Sequence, residues 1–261
     1  METTDISYLS MGIGLLLLAI PVYFFHRLGA RLIRSTVIAA VRMVVQLFLI
    51  GLYLRYLFEW NSPLVNFVWV LLMVLVATFT ATRRTRLRVR AMAVPLFCGL
   101  LLTAMVVGMY FLVLVLGLER PFDARYFVPI MGILMGNMLS VNVIALNSYY
   151  DELQREQSLY YYLLGNGATH FEAVTPFARH AVEKSFAPCI ANMAVLGIVS
   201  LPGTMIGQIL GGSAPGIAIK YQMMITVITF SASMLSLMLT LRLADRRSFD
   251  VYGRVRDVRR K

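Results

Sequence analysis

A chain of 261 residues has room for one or two soluble domains, but 59% of it is hydrophobic, only 14% is charged and its mean hydropathy is +0.74, which excludes them. A formal charge of +11 raises nucleic acid as a partner. The arginines argue against it: they gather at Arg27, Arg31 and Arg34, at Arg83 to Arg90 and from Arg242 to Lys261, at every second joint between apolar runs, as cytoplasmic loops do.

Several of those runs reach the roughly 20 residues that a helix needs to cross a bilayer. Lipid admits only helices or closed barrels, and runs this long without alternation are helices. The expected fold is an all-α integral membrane protein forming a single transmembrane domain over residues 1–261.

The first span covers residues 6–25. Glu2 and Asp5 precede it and Arg27 follows, the reverse of a cleaved leader, so a retained helix with its N-terminus outside is expected. The second span, 36–58, carries Arg42 and Gln46 on one face. Arg42 either snorkels from a cytoplasmic end or faces a polar pathway. Glu59 to Pro63 makes a short outer turn. The third span, 64–82, ends at the five-arginine joint, and the fourth covers 91–118 with Pro95 in its first turns. The fifth, 126–147, contains Gly132 and Gly136 at the spacing that allows a second helix to approach closely, with Asn137 and Asn142 beside them. Met131, Met135 and Met138 share one of its faces. Thioethers can ligate soft cuprous ions, but they also fill cores, and packing is the reading preferred here.

Residues 148–185 form a polar insertion, cytoplasmic by alternation. It reads as a helix, a turn at Gly165-Asn-Gly167 and a second short helix to Ser185, lying across the membrane surface. Thr169 and Glu172 have the spacing of a capping box. The sixth span, 186–210, holds Pro188, Gly197, Pro202, Gly203 and Gly207. So many breakers suit either a packing kink or a backbone that lines a cavity. The seventh span is 216–243, followed by a basic tail, 244–261. Seven helices, N-terminus out and C-terminus in, satisfy every arginine cluster.

No acidic residue falls in the middle of a span, which disfavours an ion-coupled secondary transporter. Cys98 and Cys189 form no spaced pair. His26, His170 and His180 fall at joints and have no ligand partner at metal spacing. No nucleophile–base constellation stands out, and the phosphate-binding Gly-x-x-x-x-Gly-Lys-Ser/Thr loop is absent. The chain is therefore not expected to be an enzyme or to hydrolyse ATP itself.

Gly167-Ala-Thr169, Pro188, Gly197-Ile-Val-Ser-Leu-Pro-Gly203, Gly207-Gln-Ile-Leu-Gly211 and Lys220-Tyr-Gln222 resemble the FetB-type iron-export ABC permease family, which includes the plant aluminium-tolerance permeases. Val41-Arg42 with Gln46 and Gly51, and Pro129-Ile130 with Gly132 and Gly136-Asn137, match the same pattern, and the resemblance extends from Arg34 to about Ser236. It implies a permease in the inner (plasma) membrane that forms a homodimer and is driven by a separate ABC ATPase subunit. The chain itself would bind no cofactor, ATP and magnesium belonging to the ATPase. The resemblance implies that Gly167, Ala168, Thr169 and Glu172, together with Arg179, seat against the ATPase. Arg42, Gln46, Asn137, Asn192, Ser200, Pro202, Gly203 and Gln208 are the pathway candidates, and no metal ligand is assigned. Pro176 inside the second surface helix and Ala191, where a polar residue is expected, depart from the pattern. Importer permeases and seven-helix receptors remain alternatives; Lys220 lies too near the start of its span to suit a retinal protein.

Overall fold

The computed structural model describes residues 7–250 and 254–256, apart from the side chain of Arg90. The described residues contain no strand, and only two isolated bridges, Leu196 with Ser200 and Phe249 with Val255. The helices are α1 (Tyr8–Leu16), α2 (Ala19–Arg27), α3 (Ile33–Trp60), α4 (Pro63–Arg84), α5 (Val89–Met109), α6 (Ala124–Arg155), α7 (Gln157–Gly165), α8 (His170–Val195), α9 (Gly203–Leu210) and α10 (Pro215–Ser248). A π-helical stretch, Tyr110–Val115, continues α5.

Sequence chemistry sets most of the boundaries. Pro21 has no N–H to give to Leu17, and the first span breaks there into α1 and α2. Asn61 ends α3 in the left-handed region (φ 36°), a conformation that asparagine tolerates, and its Oδ1 accepts the N–H of Ala124 at 2.9 Å. Proline in the first turn starts both α4 and α10, where its missing N–H costs nothing. The Asp123 carboxylate accepts from the N–H of Arg125 at the head of α6, satisfying one of that terminus's free donors.

Among the described residues six helical segments are long and apolar enough to cross a bilayer: Tyr8–Arg27, Ile33–Trp60, Pro63–Arg84, Ala91–Val115, Ala124–Arg155 and Pro215–Ser248. Five lie close to their expected positions. The fifth-span helix is longer than expected, α6 running on through 148–155 into the polar insertion. The expected sixth span, 186–210, is not one helix. α8 stops at Val195, the chain turns through Gly197 (φ 83°), and α9 begins after Pro202. The Val195 carbonyl accepts the N–H groups of Val199 (3.0 Å) and Ser200 (3.3 Å), and the Gly197 N–H donates to the Ser200 carbonyl at 2.9 Å, so a tight local loop replaces the helical ladder. Pro188 and Gly207, also read as breakers, sit inside α8 and α9.

The insertion is corrected as well. Its second half is not a separate surface helix ending at Ser185. Residues 170–185 are the first part of α8, which passes Pro176 and Pro188 unbroken for 26 residues. Only α7 and the turn after it stand apart from the long helices.

α4, α5, α6, α8 and α10 make the bundle, with α10 packed on both α5 and α6. Apolar surface alone does not hold helices together in lipid; close packing does. A Cβ on Gly99 of α5 would collide with the Thr240 hydroxyl and lie 3.3 Å from the Ser236 carbonyl, and one on Gly108 would lie 2.8 Å from Met131 Sδ. Gly136, where close approach was expected, faces open space. Two cores result. One, at the end bearing the Arg83–Arg88 joint, gathers Leu87, Met92, Tyr149, Tyr150, Tyr160, Phe177 and Phe249. The other holds Leu57, Val70, Phe111, Phe127, Met131 and Met135, so the methionine face is buried packing. α1 and α2 bury no side chain, and α3 buries only Leu57. Their apolar faces are left for lipid or another protein to cover.

Candidate functional site

Two features stand out, and α8 joins them. The first is a cavity of about 270 Å³ between α6, α8, α9 and α10. α6 contributes Asn137, the last turn of α8 contributes Asn192, the first turn of α9 contributes Thr204, and α10 contributes Gln222 and Thr226 one turn apart. The side chains form a connected relay. The Thr204 hydroxyl donates to Gln222 Oε1, Gln222 Nε2 donates to the Thr226 hydroxyl at 3.2 Å, and that hydroxyl donates to the Gln222 carbonyl at 2.9 Å. Asn137 Nδ2 donates to the Ile133 carbonyl at 3.0 Å. Cys189 lines the same space and is half-buried. The lining thus offers amides, hydroxyls and a thiol, groups that hydrogen-bond a polar solute or present oxygen donors to a hard cation.

The break between α8 and α9 makes this wall possible. A continuous helix would keep 196–204 in line with α8; the reversal at Gly197 and the restart after Pro202 bring Thr204 back against Gln222. Of the residues singled out from sequence, Asn137 and Asn192 line the cavity. Ser200, Pro202, Gly203 and Gln208 lie in the reversal or on α9 but do not line it. Arg42 and Gln46 are exposed on α3 and do not line it either. Sequence reasoning missed Thr204, Gln222 and Thr226 as site residues. A signal existed for two of them, since Gln222 and Thr226 stand four apart on one face of a span that is otherwise apolar there.

The second feature is the turn between α7 and α8. Gly167 takes φ 88°, a region that favours glycine, while the N–H groups of Gly167 and Ala168 close on the carbonyls of Leu164 and Leu163, both at 3.1 Å. Thr169 then caps α8. Its hydroxyl accepts from the Glu172 N–H at 3.3 Å, and the Glu172 carboxylate accepts from the Thr169 N–H and hydroxyl, each at 2.8 Å. These bonds favour the ionised form and hold the Glu172 carboxyl below its usual value. Such a cap is worth about 1 kcal/mol. Arg179, two to three turns into α8, is exposed. Among the described residues, no three His, Cys, Asp or Glu side chains converge as a metal site.

The arrangement is a partly polar cavity connected by one helix to a capped turn at the other end of the bundle. The model of an uncharacterised family, UPF0014, matches residues 8–249. The chain belongs to that family. The UPF0014 membrane protein YjkA of Bacillus subtilis is 27% identical over 233 residues, 88% of this chain and 90% of its own length. The probable iron export permease protein FetB of Escherichia coli is 26% identical over 250 residues, covering 96% of this chain and 95% of FetB. The protein ALUMINUM SENSITIVE 3 of Arabidopsis thaliana is 32% identical over 199 residues, 75% of this chain and 70% of that one. No solved structure matches. Together with the apolar helices, these relatives make the chain a multi-pass membrane protein of a family whose members include a permease.

Proposed function

We propose that this chain is the membrane-spanning permease of an ABC exporter, driven by a separate ATPase subunit and carrying iron or another small metal-bearing solute. The observation that carries this reading is the continuity of α8. One helix of 26 residues, about 39 Å long, begins at the capped turn and ends at Asn192 and Val195, beside the cavity and the broken segment. A contact that moves the turn therefore moves one wall of the cavity without an intervening joint. The turn, with Gly167, Ala168, Thr169 and Glu172, is the ATPase contact; the arginine-rich end of the bundle is cytoplasmic; and a second copy of the chain completes the pathway. Likeness to FetB supports iron as cargo.

The test is purification of the tagged permease from its native membrane in mild detergent. A soluble ATPase should co-purify, and ferrous iron should stimulate its hydrolysis. Glu172→Ala should leave the complex assembled but weaken that stimulation. Gly167→Pro cannot adopt φ 88° and should abolish it. Recovery of the chain without any ATPase, or unchanged stimulation in a folded Gly167→Pro protein, overturns the reading.

A further inference from the structure

The capped turn has a second attachment, to the far end of α10. Tyr160 of α7 is fully buried, and its hydroxyl lies 3.0 Å from Nδ1 of His170, the first residue of α8. Both rings pack against Phe249, the residue that follows α10. The ring centroids of Phe249 and His170 are 4.4 Å apart and edge-on, and those of Phe249 and Tyr160 are 5.5 Å apart. Around this trio, α10 is also bound to the end of α6. Tyr149 donates its hydroxyl hydrogen to Asp245 Oδ1 at 2.9 Å, and the Tyr150 hydroxyl lies 2.6 Å from Ser248 Oγ. The chain beyond α10 closes over the same place, with the Arg256 N–H on the Ser248 carbonyl at 2.8 Å and the Val255 N–H on the Tyr161 hydroxyl at 3.4 Å. The turn, the start of α8 and the end of α10 are one packed block.

α10 leaves this block without a break and runs 34 residues to the other wall of the cavity, where it carries Gln222 and Thr226. Its middle is held against α5 by the close contact at Gly99 and against α6 by the hydrogen bond from Asn142 Nδ2 to Ser236 Oγ at 3.0 Å. Close-packed blocks pass on displacement because they have no free volume to absorb it.

We infer that the Tyr160–His170–Phe249 clamp makes α10 a second lever. Movement of the capped turn then reaches the cavity from two walls, through α8 to Asn192 and through α10 to Gln222 and Thr226. His170 and Phe249 are positioning residues in this device, since neither reaches the cavity. The inference rests on the turn being the ATPase contact, and it assigns to α10 a role that the turn and α8 alone do not require.

Hydrogen exchange of the complete permease–ATPase complex in lipid nanodiscs tests it, comparing nucleotide-free protein with protein trapped by ATP and vanadate. Two segments are read: 196–204 at the end of α8, and 215–226 at the start of α10. Both should change exchange on trapping. Phe249→Ala should keep the ATPase bound and hydrolysing and keep the response of 196–204, but lose the response of 215–226; Phe249→Tyr should restore it. Loss of packing throughout the protein would remove both responses, which separates misfolding from the predicted effect. As a second measure, a bifunctional thiol reagent joining Tyr161→Cys to Val255→Cys should leave both responses intact, because the clamp moves as one piece. A response of 215–226 that survives Phe249→Ala, a parent protein in which only 196–204 responds, or a cross-link that abolishes either response overturns the second lever while leaving the permease reading in place. Failure of any ATPase to bind the parent chain removes the permease reading itself, and the lever with it.

Discussion

The two helical walls of the cavity are built in opposite ways. α10 is a single helix from Pro215 to Ser248, fixed along its length by Gly99, Asn142, Tyr149 and Tyr150. The facing wall is α8 and α9, split by a loop in which Ile198 and Val199 are almost fully exposed. Both carry polar groups to the same space. One does so by a rigid helix whose neighbours fit it closely, the other by a backbone reversal that depends on one glycine conformation and one proline. Irregular backbone in a membrane protein is tolerated only where protein or water covers it, so the α8–α9 wall is the one suited to change shape, while α10 is suited to move as one rigid piece.

Substitutions that exchange the two kinds of wall sharpen this contrast. The largest effect is expected at Gly99→Ile, which drives a branched side chain into Thr240 and the Ser236 carbonyl of α10. Overpacking of this kind costs about 1–3 kcal/mol, and it should appear as a lowered melting temperature in detergent. Gly136→Ala, with nothing within 4 Å of the new Cβ, is the matched control and should leave melting unchanged. Equal melting of the two proteins would break the claim that α10 is the tightly held wall.

A smaller cost is expected at Gly197→Ala. The residue has open space around it but sits at φ 83°, so the penalty is conformational alone, about 1–2 kcal/mol. Because it falls in the loop, limited proteolysis near 196–202 should change more than global melting does. A drop in melting as large as that of Gly99→Ile would show that the reversal is as integral to the bundle as α10.

The smallest effect belongs to the cap that α8 carries at its far end. Thr169→Ala should cost about 1 kcal/mol, seen as faster hydrogen exchange in the first turn of α8 with little change elsewhere. The cap also has a pH signature. The Glu172 carboxyl titrates below its ordinary value of 4.5 in the folded chain. Its stabilising contribution is therefore complete above 4.5 and is lost as pH falls through the lower folded value. Amide protection in that turn, taken relative to intrinsic exchange at each pH, should fall over that acidic window in the parent and stay flat in Glu172→Gln. A pH response that persists in Glu172→Gln would assign it to another group.

The spans, their lengths and the capping box follow from local chemistry, and the sequence shows them directly. Apolar runs report lipid exposure, Pro63 and Pro215 mark helix starts, and Thr169 with Glu172 needs only three residues' spacing to cap a helix. The breakers of the sixth segment are legible too, but their outcomes are not. Pro176, Pro188 and Gly207 are absorbed into helices, whereas Gly197 and Pro202 break one.

By itself the sequence determined that this chain is helical, embedded in lipid and marked by one capped polar turn, because hydropathy, arginine placement and capping act over a few residues. Tertiary structure alone decided that α8 runs unbroken from that turn to the cavity, that Thr204 meets Gln222 across 18 positions, and that His170 meets Phe249, from the start of α8 to the end of α10. Those contacts depend on the direction in which each helix leaves its turn. That direction is set by packing at Gly99 and around Tyr149 and Tyr160, contacts between side chains that no local spacing encodes.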